Sequence, residues 1–221
     1  MSEVKPELNN WLLALTLFLT PSSMAMGASL MEVEGHINRG AAYFNERKYD
    51  EAITEMTKVL EINPRSAEAY YNRGTAYGNK KQYDEAIADY TKALEINPRF
   101  AEAYFARSAA YMAKGQYDLA IADATKVLEI NPGDARVYYL RGTAYFNKRQ
   151  YEEAIADLTR QLEINPGDAR ASHAYYNRGV AHANKQQYDE AIADFTRAQS
   201  LGLQVNPEIL KGLREGSGRE K

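Results

Sequence analysis

Cysteine is absent from this sequence, tryptophan occurs once, and lysine and arginine are dispersed rather than clustered. Without cysteine there are no disulfides, zinc thiolates or thiol nucleophiles, and the redox compartment stays open. The formal charge is −3. Nucleic-acid binding needs a basic stripe that releases counterions, so no nucleic-acid partner is expected. The three histidines, His36, His173 and His182, lack metal-ligand spacing, and no phosphate loop or nucleophile elbow is present. The chain is therefore expected to be no enzyme, with no catalytic residues, no cofactor and no metal.

Long apolar runs are also scarce. The one stretch without charge that is almost wholly apolar is Trp11 to Thr20, WLLALTLFLT. As a helix it rises only ~15 Å, too short for a hydrocarbon core of ~30 Å. Its length, the proline at position 21 and the small-x-small patterns Ser23-Met24-Ala25 and Ala25-Met26-Gly27 match an export signal. Glu3 and Glu7 outnumber Lys5 before it, where a signal would be basic. Two alternatives stand beside export: a cap packed on the neighbouring fold, or a span continuing to Met31. Residues 1–32 are thus read as a signal-like or membrane-associating segment. The expected location is extracytoplasmic (periplasmic or secreted) or membrane-associated, with the cytoplasm left open.

What the chain does have is tyrosine, 17 of them, and a repeat. Ile-Asn-Pro ends at Pro64, Pro98, Pro132 and Pro166, a constant spacing of 34. Self-similarity at such a period signals a stacked-repeat architecture. Five units can be laid out, 33–66, 67–100, 101–134, 135–168 and 172–205, with Ala169 to Ala171 inserted before the fifth. Within each, apolar residues recur at helical spacing, break at a polar turn and resume. Acids such as Asp84 and Glu85 suit the start of a second helix, and Pro98 stops it. The insertion is close to one helical turn, so the first helix of the fifth unit is expected to gain a turn capped by Asp168. Residues 206–215 read as a capping helix and 216–221 as a loose tail.

Small residues recur at Gly40, Gly74, Ser108, Gly142 and Gly179, and alanines at Ala52, Ala86, Ala120, Ala154 and Ala191. A turn aromatic recurs at Tyr49, Tyr83, Tyr117, Tyr151 and Tyr188. In these positions the chain resembles the tetratricopeptide repeat (TPR). The resemblance implies an all-α fold, a right-handed superhelical solenoid of helix-turn-helix pairs with a C-terminal capping helix. It also implies that first helices line a concave face that binds a protein or peptide partner.

On that register the candidate groove has an aromatic row and two amide rows. The first is Ile37, Tyr71, Phe105, Tyr139 and Tyr176; the second contains Asn38, Asn72 and Asn177; the third contains Asn45, Asn79, Asn147 and Asn184. Rings offer contact area and amides bond a main chain. The rings equally suit a wedge between stacked helices, and both readings stand. Some family members clamp a partner's terminal carboxylates with Lys and Asn. The matching positions here hold Ile37, Ala41, Asn72, Glu102 and Ala106, so that activity is not carried over. Glu34, Glu68 and Glu102 give way to Arg136 and His173 along one edge, which suits a partner with a basic end or a solvated face.

Each first helix also carries an Arg (39, 73, 107, 141, 178) and each second helix an acid (55, 89, 123, 157, 194). A half-buried ladder of pairs is expected, with a basic strip on the groove as its rival. The expected role is a protein-interaction scaffold or adaptor, monomeric; the alternative is a structural, self-assembling solenoid.

Overall fold

The computed structural model describes residues 21–218, with side chains from residue 30. The described residues form eleven helices and no strand. They pair in sequence: α1 (Pro21–Asn45) with α2 (Tyr49–Ile62), α3 (Ala67–Asn79) with α4 (Tyr83–Ile96), and α5 (Ala101–Ala113) with α6 (Tyr117–Ile130). Then come α7 (Ala135–Asn147) with α8 (Tyr151–Ile164), α9 (Ala171–Asn184) with α10 (Tyr188–Ser200), and α11 (Pro207–Gly216). Each helix packs on its neighbours in sequence, and α3, α5, α7 and α9 also touch in succession. That succession lines the first helices along one face.

The turn inside each pair has one geometry. Arg47, Lys81, Gly115, Arg149 and Gln186 all take a positive φ of about 60–71°. The residue after each donates its N–H five residues back, as Lys48 does to the Tyr43 carbonyl at 2.9 Å. This is a Schellman ending, which satisfies carbonyls the helix leaves open. Only the third repeat uses glycine there.

The helices cross at the small residues. A Cβ on Gly74 would lie 2.9 Å from the Tyr90 ring, and one on Gly142 would lie 3.0 Å from Leu158. The third repeat resolves the same crossing differently. Ser108 is fully buried, donates to the Ala120 carbonyl at 2.7 Å, and the facing residue is the small Ala124. Volume lost on the second helix admits volume on the first.

Both ends depart from the repeat. The boundary between residues 32 and 33 falls inside α1, a continuous helix of 25 residues. On it Leu30 and Met31 stand exposed at 65% and 76%. Trp11 to Thr20 and residues 219–221 lie outside the described residues. At the other end Asn206 caps α11, accepting the Glu208 N–H at 3.0 Å, with Pro207 in the first turn. Leu210 and Leu213 of α11 close a cluster with Phe195, Ala198 and Val205.

The insertion behaves otherwise than its length suggests. α9 starts at Ala171 and has 14 residues, one more than α7 with 13, and Asp168 does not cap it. Asp168 instead accepts the Arg170 N–H at 2.7 Å and pairs with its guanidinium. A local turn holding that ion pair satisfies the carboxylate without a longer helix.

Candidate functional site

The face of the first helices is built from one stripe per helix. Residues at 34, 38, 41 and 45 are spaced four, three and four apart, so they share one side of α1. The same stripe is Glu68, Asn72, Thr75, Asn79 on α3 and Glu102, Ala106, Ala109, Ala113 on α5. On α7 it is Arg136, Leu140, Thr143, Asn147, and on α9 His173, Asn177, Val180, Asn184. Asn38, Asn45, Asn72, Asn79, Asn147 and Asn184 are exposed, and Asn177 is half-buried. The amides of Asn79, Asn147 and Asn184 each donate at 2.8 Å to the carbonyl four residues earlier. Those N–H groups trim the last turn of the helix, leaving each amide oxygen free to face outward.

The aromatic row lies beside the stripe at the joints between repeats, and every member is half-buried. Ile37 packs on the cluster of Met56, Val59, Leu60 and Ala69. Tyr71 sits with its centroid 5.0 Å from Phe100 and 6.0 Å from Tyr90. Phe105 packs beside Val127 and Val137, with the Arg136 guanidinium 5.3 Å from its centroid. Tyr139 joins the Leu158 cluster, where burial raises its hydroxyl above the ordinary tyrosine range. Tyr176 meets Phe195 edge-on at 5.3 Å. Each ring therefore has one side in a joint, whereas the stripe carries fewer structural obligations.

Two recesses open along this face. An apolar one of about 140 Å³ lies between the first and second repeats, walled by Ala41, Phe44, Met56 and Thr75. In the second repeat Tyr90 stands where Met56 does, its hydroxyl 3.4 Å from Thr75, and fills the equivalent space. A second recess of about 180 Å³ brings Tyr71 and Phe105 together with Glu102, Asp134 and Arg136. There Arg136 binds the Asp134 carboxylate at 2.6 and 3.0 Å and holds it below its ordinary range.

Beneath the face the arginines are committed. Arg73, Arg107, Arg141 and Arg178 each make two bonds of 2.6 to 2.9 Å to Asp89, Asp123, Asp157 and Asp194 of their own repeat. A third donor reaches back to Thr57, Thr91, Thr125 or Thr159 of the preceding repeat at 2.9 to 3.1 Å. Tyrosine rings flank the guanidiniums, as Tyr104 and Tyr111 do around Arg107 at 5.7 and 5.8 Å. The ladder crosses the insertion unbroken, and it removes the basic strip from the groove.

The first repeat ends the ladder with different chemistry. Glu55 accepts from Lys58 at 2.8 Å and from Arg39 Nε at 2.9 Å, and His36 Nδ1 lies 2.7 Å from both its carboxylate and Arg39 Nη2. The Lys58 bond first, then His36 and Arg39, hold its carboxyl down at about 2 against the opposing cost of burial. Arg39 bonds no threonine of an earlier helix among the described residues, and its side chain is 52% exposed, against 16–19% for Arg73, Arg107, Arg141 and Arg178.

A second ladder was missed by sequence reasoning. Lys80, Lys114, Lys148 and Lys185, just past α3, α5, α7 and α9, pair with Asp50, Asp84, Asp118 and Glu152 at the start of the preceding second helix. The signal was present as a lysine and an acid recurring with the repeat. Among the described residues no cluster of three His, Asp or Glu is placed to hold a metal, and no helix is long and apolar enough to cross a membrane.

Stacked helix pairs with a shared ladder define a helical-repeat solenoid. Family models described as tetratricopeptide repeat match residues 67–100 and 172–201, 111–175, and 89–122, and one described as TPR repeat matches 40–81. These matches run without a gap from 40 to 201, and the chain belongs to the tetratricopeptide-repeat family. No curated protein matches it significantly. Among solved structures, MamA (41-end) from Desulfovibrio magneticus RS-1 is similar at 24% identity, covering 77% of this chain and 94% of that one, with a TM-score of 0.72. A crystal structure of MamA gives 26%, 73%, 93% and 0.69. YrrB, described as a TPR protein with an unusual peptide-binding site, gives 24%, 76%, 84% and 0.68.

Proposed function

We propose that this chain is a non-enzymatic adaptor that holds a segment of a partner protein along the face of its first helices. One observation carries the reading. On α1 and α3 the stripe residues Asn38 and Asn72 are exposed, and their amides make no bond among the described residues, while the arginines beneath are consumed by the fold. Free amides beside an apolar recess suit a peptide main chain with one side chain buried. The peptide-binding site named for YrrB supports this as a fold-level analogy.

The test replaces exposed residues, because the rings also pack the joints. Capture from the native host is compared for wild type, for Asn38→Arg with Asn72→Arg, and for Ala88→Arg with Ala122→Arg on the opposite, second-helix face. A partner lost only from the first variant supports the reading; one lost only from the second places binding on the other face.

A self-assembling solenoid is the second reading, favoured by the exposed Leu30 and Met31 on the α1 extension. Light scattering across concentrations decides it, since one constant monomer mass removes it. We further propose that the segment around Trp11 to Thr20 directs export or membrane association. Intact mass after fractionation tests this, and a cytoplasmic product retaining Met1 overturns it.

A further inference from the structure

The concave face is not uniform in charge along the stack. Its stripe begins with Glu34, Glu68 and Glu102 on the first three repeats, then with Arg136 and His173. Glu34, Glu68 and Glu102 are exposed, and none makes an ion pair among the described residues. Arg65 and Arg99, three residues before Glu68 and Glu102, are exposed and make no ion pair among the described residues, and other cations of these repeats are engaged elsewhere. Arg39 and Lys58 hold Glu55, Arg73 holds Asp89 and Arg107 holds Asp123. Arg136 feels the charge of Glu102, but its bonds go to Asp134. The row is therefore three carboxylates without a bonded cation, one per repeat, along a single edge.

The apolar recess lies on the same stripes. Ala41 and Thr75 wall it, each seven residues beyond Glu34 or Glu68 on its helix, a rise of ~10 Å. At about 140 Å³ it is smaller than a small-molecule site; such sites run to ~300–1,000 Å³. A cavity of ~150 Å³ takes a benzene-sized group. The recess thus fits one large apolar side chain, an anchor of the kind that dominates interface energetics. At the position of Met56 the second repeat carries Tyr90, whose hydroxyl lies 3.4 Å from Thr75.

We infer that the partner segment is basic, with lysines or arginines against Glu34, Glu68 and Glu102 and one large apolar side chain in the recess beside Phe44 and Met56. This rests on the concave-face reading and adds the partner's chemistry to it. The carboxylates steer and orient, and the anchor supplies most of the affinity.

The experiment is selection of random 16-residue peptides on the full-length chain, followed by fluorescence polarisation with the enriched sequences. Enriched peptides are expected to carry a surplus of Lys and Arg and one large apolar residue. Their affinity is expected to fall about tenfold in Glu34→Gln/Glu68→Gln/Glu102→Gln and at least as far in Ala41→Trp, which fills the recess; circular dichroism confirms both variants folded. Binding of these peptides should also weaken as salt rises. Neutral or acidic peptides, lost in Asn72→Arg but unchanged in the glutamine variant, would overturn the basic partner while leaving the concave face as the site. Peptides indifferent to every concave variant, or no enrichment at all, would overturn both.

Discussion

The Arg107 guanidinium holds the Asp123 carboxylate of its own repeat by two bonds of 2.7 and 2.8 Å while reaching Thr91 of the repeat before it at 2.9 Å. One side chain thus joins two helices of one unit to the second helix of another. Asp123 is 6% exposed, so removing either charge strands its partner. Asp123→Ala is expected to destabilise the chain by about 3 kcal/mol, and Arg107→Met/Asp123→Leu by clearly less, since an apolar pair leaves no orphaned charge. Urea midpoints for the single and double variants check this.

The crossings predict a second coupling. Gly142→Ala places a Cβ about 3.0 Å from Leu158 and is expected to cost about 1–3 kcal/mol. Leu158→Ala alone opens a cavity at a fully buried position and is expected to cost about 2–5 kcal/mol. Gly142→Ser/Leu158→Ala recreates the Ser108–Ala124 arrangement of the third repeat. A favourable coupling of about 1 kcal/mol or more is expected in the double-mutant cycle of Gly142→Ser and Leu158→Ala.

The period of 34 made the repeats, the turns and the Arg–Asp pairing legible, because each position is sampled five times. The interlocking threonines were not, because register says which residues recur and not which repeat a long side chain reaches. Asp168 misled for a related reason. A residue spacing admits either a longer helix or a compact turn, and the Arg170 ion pair decides for the turn. The candidate stripe could be placed from register alone. That the ring row is half spent on joints could not, since aromatic periodicity looks the same at a groove and at a packing seam.

Lys81, Arg149, Gln186 and Arg47 hold a left-handed conformation that Gly115 adopts without a Cβ penalty. Lys81→Gly and Arg149→Gly are each expected to raise stability by about 0.5–1 kcal/mol. Lys81→Ala should gain nothing. Denaturant titration distinguishes the two.

The first-repeat carboxylate predicts an acid dependence. Glu55 is held at about 2 in the fold against an ordinary 4.5. A lowered folded value means the stabilisation is complete above about 4.5 and is lost as pH falls toward 2. Glu55→Gln is expected to be less stable than wild type at neutral pH, with the gap closing between pH 4.5 and 2. Thermal midpoints of both proteins across that range report it.

Gln161 predicts a gain from removing polarity. It is 1% exposed, and neither end of its amide has a partner, at a position where α2 and α6 carry Val59 and Val127. Gln161→Val is expected to stabilise by about 1 kcal/mol, since an unsatisfied buried amide is lost. Denaturant midpoints of the two proteins measure the difference.

Partner binding along the first helices should leave its mark on the backbone of those helices. Hydrogen–deuterium exchange of the full chain, with and without the protein captured from its host, reads that mark residue by residue. Added protection is expected in α1, α3 and α5, concentrated around Asn38, Asn72 and Ala109, with α2, α4 and α6 little changed. Protection confined to the second helices or to α11 would contradict binding on the concave face.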